Sequence, residues 1–309
     1  MVSIMKDVLV IGGSLFIGRV FSILASRNGG FNLHVVNRGN HPMNLERVAQ
    51  YKCDRHSPRL MANLVPEIQY DALVDFCAYV PGEISPVIDA LGDRVKQYIF
   101  ISTASLYAAN SDFLDEGSPL LETPDKGIDT ISEYVNGKIE LERELAGACG
   151  RKGVHFTILR PTFIYGPFNY APREPYFIEL IAKKRAVPVP VDATAQFNFV
   201  YALDIAGALM VCIGDKKAYN ETFNLANNEV LTYPRLISVL ERCNGGPFET
   251  RDVTVAQVHE ENIPLPFPLT ENTLINGGKF DRMFDFKHTP FLEGMEKTFK
   301  IFYPLYTAN

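Results

Sequence analysis

Tyr134 and Lys138 stand four residues apart in the stretch Glu133 to Glu144, EYVNGKIELERE, so on a helix the phenol and the ammonium share one face, one turn apart. An unperturbed phenol titrates near ~10 and is a poor base at neutral pH, whereas an adjacent ammonium favours the phenolate and brings it toward working range. The pair reads as a proton-transfer site. The same spacing also occurs in plain amphipathic helices, so the reading depends on what else the chain brings beside it.

Two other clusters qualify. The run Ile11, Gly12, Gly13, Ser14, Leu15, Phe16, Ile17, Gly18 joins an apolar segment to a helical one, the context a dinucleotide-binding turn requires. Gly12 permits the tight turn, Gly18 lets helix and strand pack closely, and free amides at the helix start suit a pyrophosphate. Leu15 departs from the pattern, because a middle glycine would normally let the backbone approach the phosphates. The second cluster is Ser102, Thr103 and Ser105, hydroxyls that follow the apolar run Gln97 to Ile101.

Something must bring these clusters together. Short apolar runs alternate with helical patterns through the first half of the chain, the signature of a parallel sheet wrapped by helices. Strands are predicted at Asp7 to Ile11, Asn32 to Asn37, around Tyr51 to Asp54, Ala72 to Phe76, Gln97 to Ser102 and His155 to Arg160, with helices notably at Gly18 to Asn28 and Pro81 to Leu91. The class is α/β, a doubly wound parallel sheet. Right-handed crossovers align the carboxyl ends of its strands along one edge, where such sheets bind ligands. A polar loop from Asn110 to Thr130 leads to the helix of Tyr134, with Ser132 as its cap. After Pro161 the texture breaks up with Gly166, Pro167, Pro172, Pro175, Pro188 and Pro190, which opens a smaller C-terminal substrate lobe. Residues 1–165 are assigned to the dinucleotide-binding domain, to which the chain returns at about 197–226, and 166–196 with 227–309 to the lobe.

Composition narrows the partners. A net charge of -6 on 309 residues, with no Lys/Arg-rich run, gives no surface for a phosphate backbone, so nucleic acid is not expected. Five scattered cysteines without a C-x-x-C indicate reduced thiols and no metal site. No stretch reaches membrane-spanning length, and a cytoplasmic protein is expected. At the tip of the second strand the chain offers Asn37 and Arg38 in place of an acid. A carboxylate there would take the adenosine ribose and an arginine suits a 2'-phosphate, so NADP is favoured over NAD. Asp54 is placed to accept from the adenine amino group, and Ala78 is small enough for the cofactor to lie against.

In order along the chain, the glycine turn, the hydroxyl after strand five, Y-x-x-x-K and Leu159-Arg160-Pro161-Thr162-Phe163-Ile164-Tyr165-Gly166-Pro167 resemble the extended short-chain dehydrogenase/reductase family, the NAD-dependent epimerase/dehydratase group. The segments NFVYALDIA (Asn198 to Ala206), FNLA (Phe223 to Ala226) and Gly294 to Thr298 extend the likeness over almost the whole chain, and the turn G-G-S-L-F-I-G looks closer to atypical members. The resemblance implies a Rossmann-type fold, a homodimer built on helices such as Ser132 to Cys149, and a catalytic set of Thr103, Tyr134 and Lys138. It makes Tyr134 the acid or base, has Lys138 hold the nicotinamide ribose and lower the Tyr134 pKa, and has Thr103 bond the reacting oxygen while the nicotinamide exchanges a hydride. Gly12, Gly13, Ser14, Phe16, Ile17, Gly18, Ser102 and Pro161 fall at cofactor positions, and Ser105, Asn169 and Arg173 are candidates for a sugar-like substrate. Ala104 and Ser105 follow Thr103 where dehydratases of the family carry Asp-Glu, so dehydration is disfavoured. Gln196, Phe197 and Asn198 stand where nucleotide-sugar enzymes carry a diphosphate-gripping arginine. The leading expectation is an oxidoreductase or epimerase acting on a sugar or sugar-nucleotide. Two alternatives stay open: a non-catalytic cofactor-binding or RNA-associated member, and a reductase of small aldehydes or ketones with a pocket lined from Phe163, Tyr165, Phe168, Tyr170, Tyr176 and Phe177.

Overall fold

A computed structural model describes residues 5–108, 112–121 and 130–307. In chain order the elements are β1 Lys6–Ile11, α1 Phe16–Asn28, β2 Phe31–Asn37, β3 Val48–Lys52, α2 Pro58–Leu64, β4 Ala72–Asp75, α3 Ser85–Leu91, β5 Gln97–Ile101, α4 Thr130–Lys152, β6 His155–Pro161, β7 Phe163–Tyr165, α5 Glu174–Ala182, β8 Val187–Pro190, β9 Phe199–Tyr201, α6 Ala202–Cys212, β10 Glu221–Leu225, α7 Tyr233–Asn244, β11 Thr250–Val253, α8 Val255–Glu260, α9 Gly278–Phe284 and α10 Phe291–Thr307.

Seven strands form the main sheet in the order β10-β6-β5-β4-β1-β2-β3, and every pairing is parallel. β4 and β5 are buried at every residue, as continuous apolar strands covered on both faces must be. One face packs Phe21 and Ala25 of α1 with Ile205 and Leu209 of α6. The other packs Met61 of α2, Val87 and Ile88 of α3, and Leu141 and Leu145 of α4. The fold is thus the doubly wound parallel sheet, and its winding reverses between β1 and β4, where the pairs Ile11 with Val36 and Ile11 with Asp75 align three strand ends. An open cleft belongs at that point.

Several elements differ from the sequence reading: β3 runs Val48–Lys52 in place of the strand expected around Tyr51 to Asp54, and α4 starts at Thr130, ahead of the expected cap Ser132. Within the stretch at about 197–226 expected to return to the first domain, where Phe197 to Val200 and Phe223 to Leu225 read as buried strands, β10 lies beside β6, but Phe199–Tyr201 pairs with β7 in a small sheet of its own. An apolar run marks a strand without naming its partner. Helix α3 starts at Ser85, not Pro81, because Gly82 takes φ +88° and the Glu144 carboxylate of α4 accepts the amides of Gly82, Ile84 and Ser85 at 2.7, 3.1 and 2.6 Å. Of the loop expected at 110–130, residues 110, 111 and 122–129 lie outside the described residues; within 112–121, Leu114 and Leu120 form isolated bridges to Ile275 and Tyr107. The aromatic run divides: Tyr165 and Phe177 are core, whereas Tyr170 is 72% exposed. All five cysteines are free, and among the described residues no helix is long and apolar enough to cross a membrane and no His/Cys/Asp/Glu group could hold a metal.

Candidate active site

A cleft of about 550 Å³ opens at the carboxyl ends of β1, β2, β4, β5 and β6. Gly12, Gly13, Ser14, Phe16, Ile17, Asn37, Arg38, Asp54, Ser102, Thr103, Ser105, Tyr134, Lys138, Pro161 and Arg173 all line it, so the three sequence clusters converge on one space. Gly18, Ala78 and Asn169 lie behind its wall.

The glycine turn shows why its sequence works. Gly13 takes φ +70°, and a Cβ on Gly18 would sit 2.8 Å from the Gly13 Cα, so only glycine lets α1 start this close to β1. Ser22 fastens the packing by donating to the Gly18 and Gly13 carbonyls at 2.8 and 3.1 Å. Leu15 is accommodated because its backbone is extended, φ -129° and ψ 150°, and its side chain is 53% exposed at the rim. The unusual conformation falls instead on Phe16, at φ +39°. Leu15 makes no side-chain cap hydrogen bond, and Leu15, Phe16 and Ile17 at the start of α1 all line the cleft, where a helix N-terminus favours an anion.

At the other end, Thr103 follows β5 in extended backbone, and its hydroxyl donates to Ser105 Oγ and accepts from the Ser105 amide, both at 3.1 Å. Tyr134 and Lys138 share a face of α4 as the four-residue spacing requires. That helix is held against β6 by a buried pair: the Arg160 guanidinium donates to Glu142 at 3.0 and 2.6 Å and to the Tyr107 hydroxyl at 2.8 Å, and Tyr107 donates to Asn224 at 2.7 Å.

Lys138 is 2% exposed, and its ammonium donates to the carbonyls of Ala78 and Ile101, both at 2.8 Å. It also lies 4.7 Å from the Tyr79 ring centre and 5.8 Å from that of Tyr134. Burial pushes its pKa down to about 8, against the nearby Asp75 charge, which pulls it up. The Tyr134 phenol is also displaced, but upward: loss of water raises it most, a Thr103 hydrogen bond and the Arg173 charge lower it, and Tyr170 raises it. Contrary to expectation, Lys138 is not among the groups that lower it. The lysine turns its proton donors to carbonyls, and desolvation outweighs the charges that favour phenolate.

Ala78 acts through its carbonyl, since its side chain is fully buried. Asn169 is occupied too: its amide donates to both oxygens of Glu174, at 3.0 and 2.8 Å, and its own oxygen accepts from Ala171. Glu174 is buried, and that burial raises its carboxyl to about 7. At the far end Asp54 sits below the ordinary carboxylate range, chiefly because the His56 amide donates to it.

Of the aromatic run, Phe163 and Tyr170 do line the cleft, whereas several other lining residues escaped the sequence reading, among them Arg55, Cys77, Tyr79, Thr162 and Thr273. Arg55 is the most consequential. It donates to Asp75 through two nitrogens at 2.9 and 3.1 Å and to the Glu83 carbonyl at 2.8 Å. Its position directly after Asp54 was the available signal.

Comparison with known proteins agrees with this fold. Residues 85–226 match the model of the NAD dependent epimerase/dehydratase family, which bears out the resemblance drawn from the motifs. Among curated proteins, the chain is 28% identical over 256 residues to the chloroplast stem-loop binding protein of 41 kDa b of Arabidopsis thaliana, covering 78% of this chain and 64% of that protein. It is 26% identical over 149 residues to the dTDP-D-glucose 4,6-dehydratase of Homo sapiens, covering 48% and 40%. The chain thus spans less than two thirds of the length of these curated relatives. Among solved structures, the UDP-glucose-4-epimerase of Stenotrophomonas maltophila, with bound NAD and formylated UDP-arabinopyranose, superposes with a TM-score of 0.79 at 17% identity over 98% of this chain and 99% of that one.

Proposed function

From a chain whose residues 85–226 match the NAD dependent epimerase/dehydratase family and whose fold is shared with a UDP-sugar epimerase, we propose an NAD(P)-dependent oxidoreductase or epimerase acting on a sugar or sugar-nucleotide hydroxyl or carbonyl. The observation that carries this reading is the meeting of Thr103, Tyr134 and Lys138 at one end of a cleft whose other end is the glycine turn. The cleft also fits a dinucleotide on its own terms. Ser102 is 3% exposed, lines the cleft, and its hydroxyl has no partner among the described residues; a buried hydroxyl left so is costly unless a ligand completes it. The first-turn amides of α1 would hold the pyrophosphate, and Lys138 the ribose next to the nicotinamide. Bound there, the nicotinamide supplies the redox chemistry. Tyr134 moves the proton on the substrate oxygen, and Thr103 orients that oxygen by a hydrogen bond. The same reading, through the family likeness, takes the protein as a cytoplasmic homodimer using α4.

NADP is the form we favour. The Asn37 side chain at the tip of β2 is spent locally: its oxygen accepts from the Gly39 amide at 2.9 Å and Gln50 at 2.8 Å, and its nitrogen donates to the Gly12 carbonyl at 3.3 Å. No carboxylate stands there for a ribose diol, and Arg38 is the charge beside it. Fluorescence titration should therefore show NADPH binding about ten-fold or more tighter than NADH, as a charge-assisted contact of roughly 1.5–3 kcal/mol gives, with Arg38→Ala erasing the difference. Tighter NADH binding would overturn the assignment.

The stem-loop binding relative brings RNA forward as a rival ligand. Charge opposes it: the chain is at -6, and Arg55 is neutralised by Asp75 inside the protein. A gel shift with a stem-loop RNA at physiological salt is expected to show no complex below micromolar protein, and a salt-sensitive nanomolar shift would reverse the order of the two readings.

A further inference from the structure

We infer that Arg173 is the substrate's anion receptor, so that the molecule turned over carries a fork-shaped anion, carboxylate or phosphoryl, within reach of the carbon it presents to Tyr134; this deepens the function proposed above and rests on it. The inference comes from sorting the cations that line the cleft. Lys138 is held by two backbone carbonyls. Arg55 is paired through both terminal nitrogens with Asp75. His56 is bracketed by Asp54 at 2.7 Å and Glu83 at 2.8 Å. Arg38 and His41 follow β2, at the adenosine end.

Arg173 stands at the catalytic end, and among the described residues it forms no ion pair. Its one hydrogen bond is a long one, 3.4 Å to the Ile164 carbonyl, and its guanidinium lies 5.8 Å from the centre of the Phe163 ring. A guanidinium has five N–H donors in a fixed fork that matches a carboxylate or phosphate through two parallel bonds. Most of those donors are unspent here, although burial already disfavours the charge. The adjacent Glu174 does not answer it directly, because its carboxylate accepts from the Gly166 amide and from Asn169. Arg173 is near enough to the Tyr134 phenol for its charge to act on it. Among the described residues the charged or titratable groups acting on Arg173 are Glu174, Tyr134 and Tyr170 and include no second cation, while Phe197 and Asn198 are fully buried and Asn198 is occupied by the backbone of Asn227 and Ile275. Thr273 and Ser105 line the cleft as neutral hydroxyl partners.

The test measures binding by calorimetry on the full chain saturated with NADPH, or with NADH if that is the tighter form. The probes are glucose, glucuronate, glucose 6-phosphate and UDP-glucose. Wild type should bind at least one anionic probe ten-fold or more tighter than glucose. Arg173→Gln should abolish that preference and Arg173→Lys restore part of it, with cofactor affinity unchanged in both. Preference for glucuronate, for the monophosphate or for the diphosphate then says which anion the fork takes. Equal binding of all four probes, no binding of any, or a preference that survives Arg173→Gln overturns the inference. Should Arg173→Gln not fold, a preference undiminished in Arg173→Lys overturns it as well, since a point charge cannot reproduce the two-pronged contact. Loss of turnover in Tyr134→Phe alongside an unaffected anion preference in Arg173→Gln would remove the receptor and leave the catalytic reading standing, whereas failure to bind either dinucleotide removes both.

Discussion

Turnover by Tyr134→Phe is expected to fall by about 10²- to 10⁴-fold, the range general acid–base groups contribute, while affinity for the dinucleotide stays within about two-fold. The variant removes one oxygen from a ring that is 37% exposed, and it leaves Lys138 on its two carbonyls. Stability should therefore change little, and a thermal melt run beside the assay separates lost chemistry from lost fold. The direction of the pKa shifts adds a second readout. Tyr134 lies above its ordinary value for want of water, whereas Lys138 is down at about 8. In the oxidative direction Tyr134 must take a proton, so the wild-type rate should climb as pH rises through the neutral range. It should fall again as Lys138 deprotonates around pH 8 and its hold on the cofactor ribose weakens. The phenyl ring of the variant has no such proton to exchange, and any residual rate should show no climb over the same interval. Full activity in the variant, with whichever sugar nucleotide or sugar acid the wild type converts, would remove Tyr134 from the mechanism.

The catalytic set was legible because each member is marked by a local rule. A four-residue spacing places Tyr134 above Lys138 on one helix face, and a hydroxyl following an apolar run must emerge at the end of a strand. The glycine turn was legible for the same reason, down to Gly18, whose missing Cβ is required by a contact five residues back. What stayed hidden is assembled across the sheet. Nothing near Asp75 in sequence says that Arg55, twenty residues earlier and beyond the end of the edge strand β3, will reach it across the sheet's edge, or that Tyr98 will reach the same carboxylate from the neighbouring β5. Asn169 shows the opposite error: a polar residue after a tight turn looks available, and only the fold reveals Glu174 already holding it. The upward shift of Tyr134 belongs with these, since a sequence displays neighbouring charges but not the water a folded cleft takes away.

That hidden carboxylate carries the largest expected effect on stability. Asp75 is completely buried and is shared among the Arg55 guanidinium, the Tyr98 hydroxyl and the Cys77 amide. Asp75→Asn keeps the shape but takes the nearer carboxylate from the Arg55 guanidinium, on a side chain only 7% exposed, and leaves it only Glu83, 3.7 Å away. Breaking a buried pair from one side costs about 3–5 kcal/mol, on the order of 10 °C in melting temperature for a chain of this size. The cost comes from the under-compensated Arg55 charge and not from a large net value of the pair, so adding Arg55→Met should recover part of it. A double variant no better than Asp75→Asn would show that the carboxylate matters for its own contacts to Tyr98 and Cys77. The same substitution reaches the active site, because Asp75 is the foremost of the charges that support the Lys138 ammonium. At pH 7, well below the Asp75→Asn melting point, the variant should have a Lys138 that loses its proton at lower pH than about 8, and the ammonium-dependent part of the rate should move toward acid. A pH profile unchanged from wild type would confine Asp75 to holding the sheet edge together and leave Lys138 governed by burial and the two carbonyls alone.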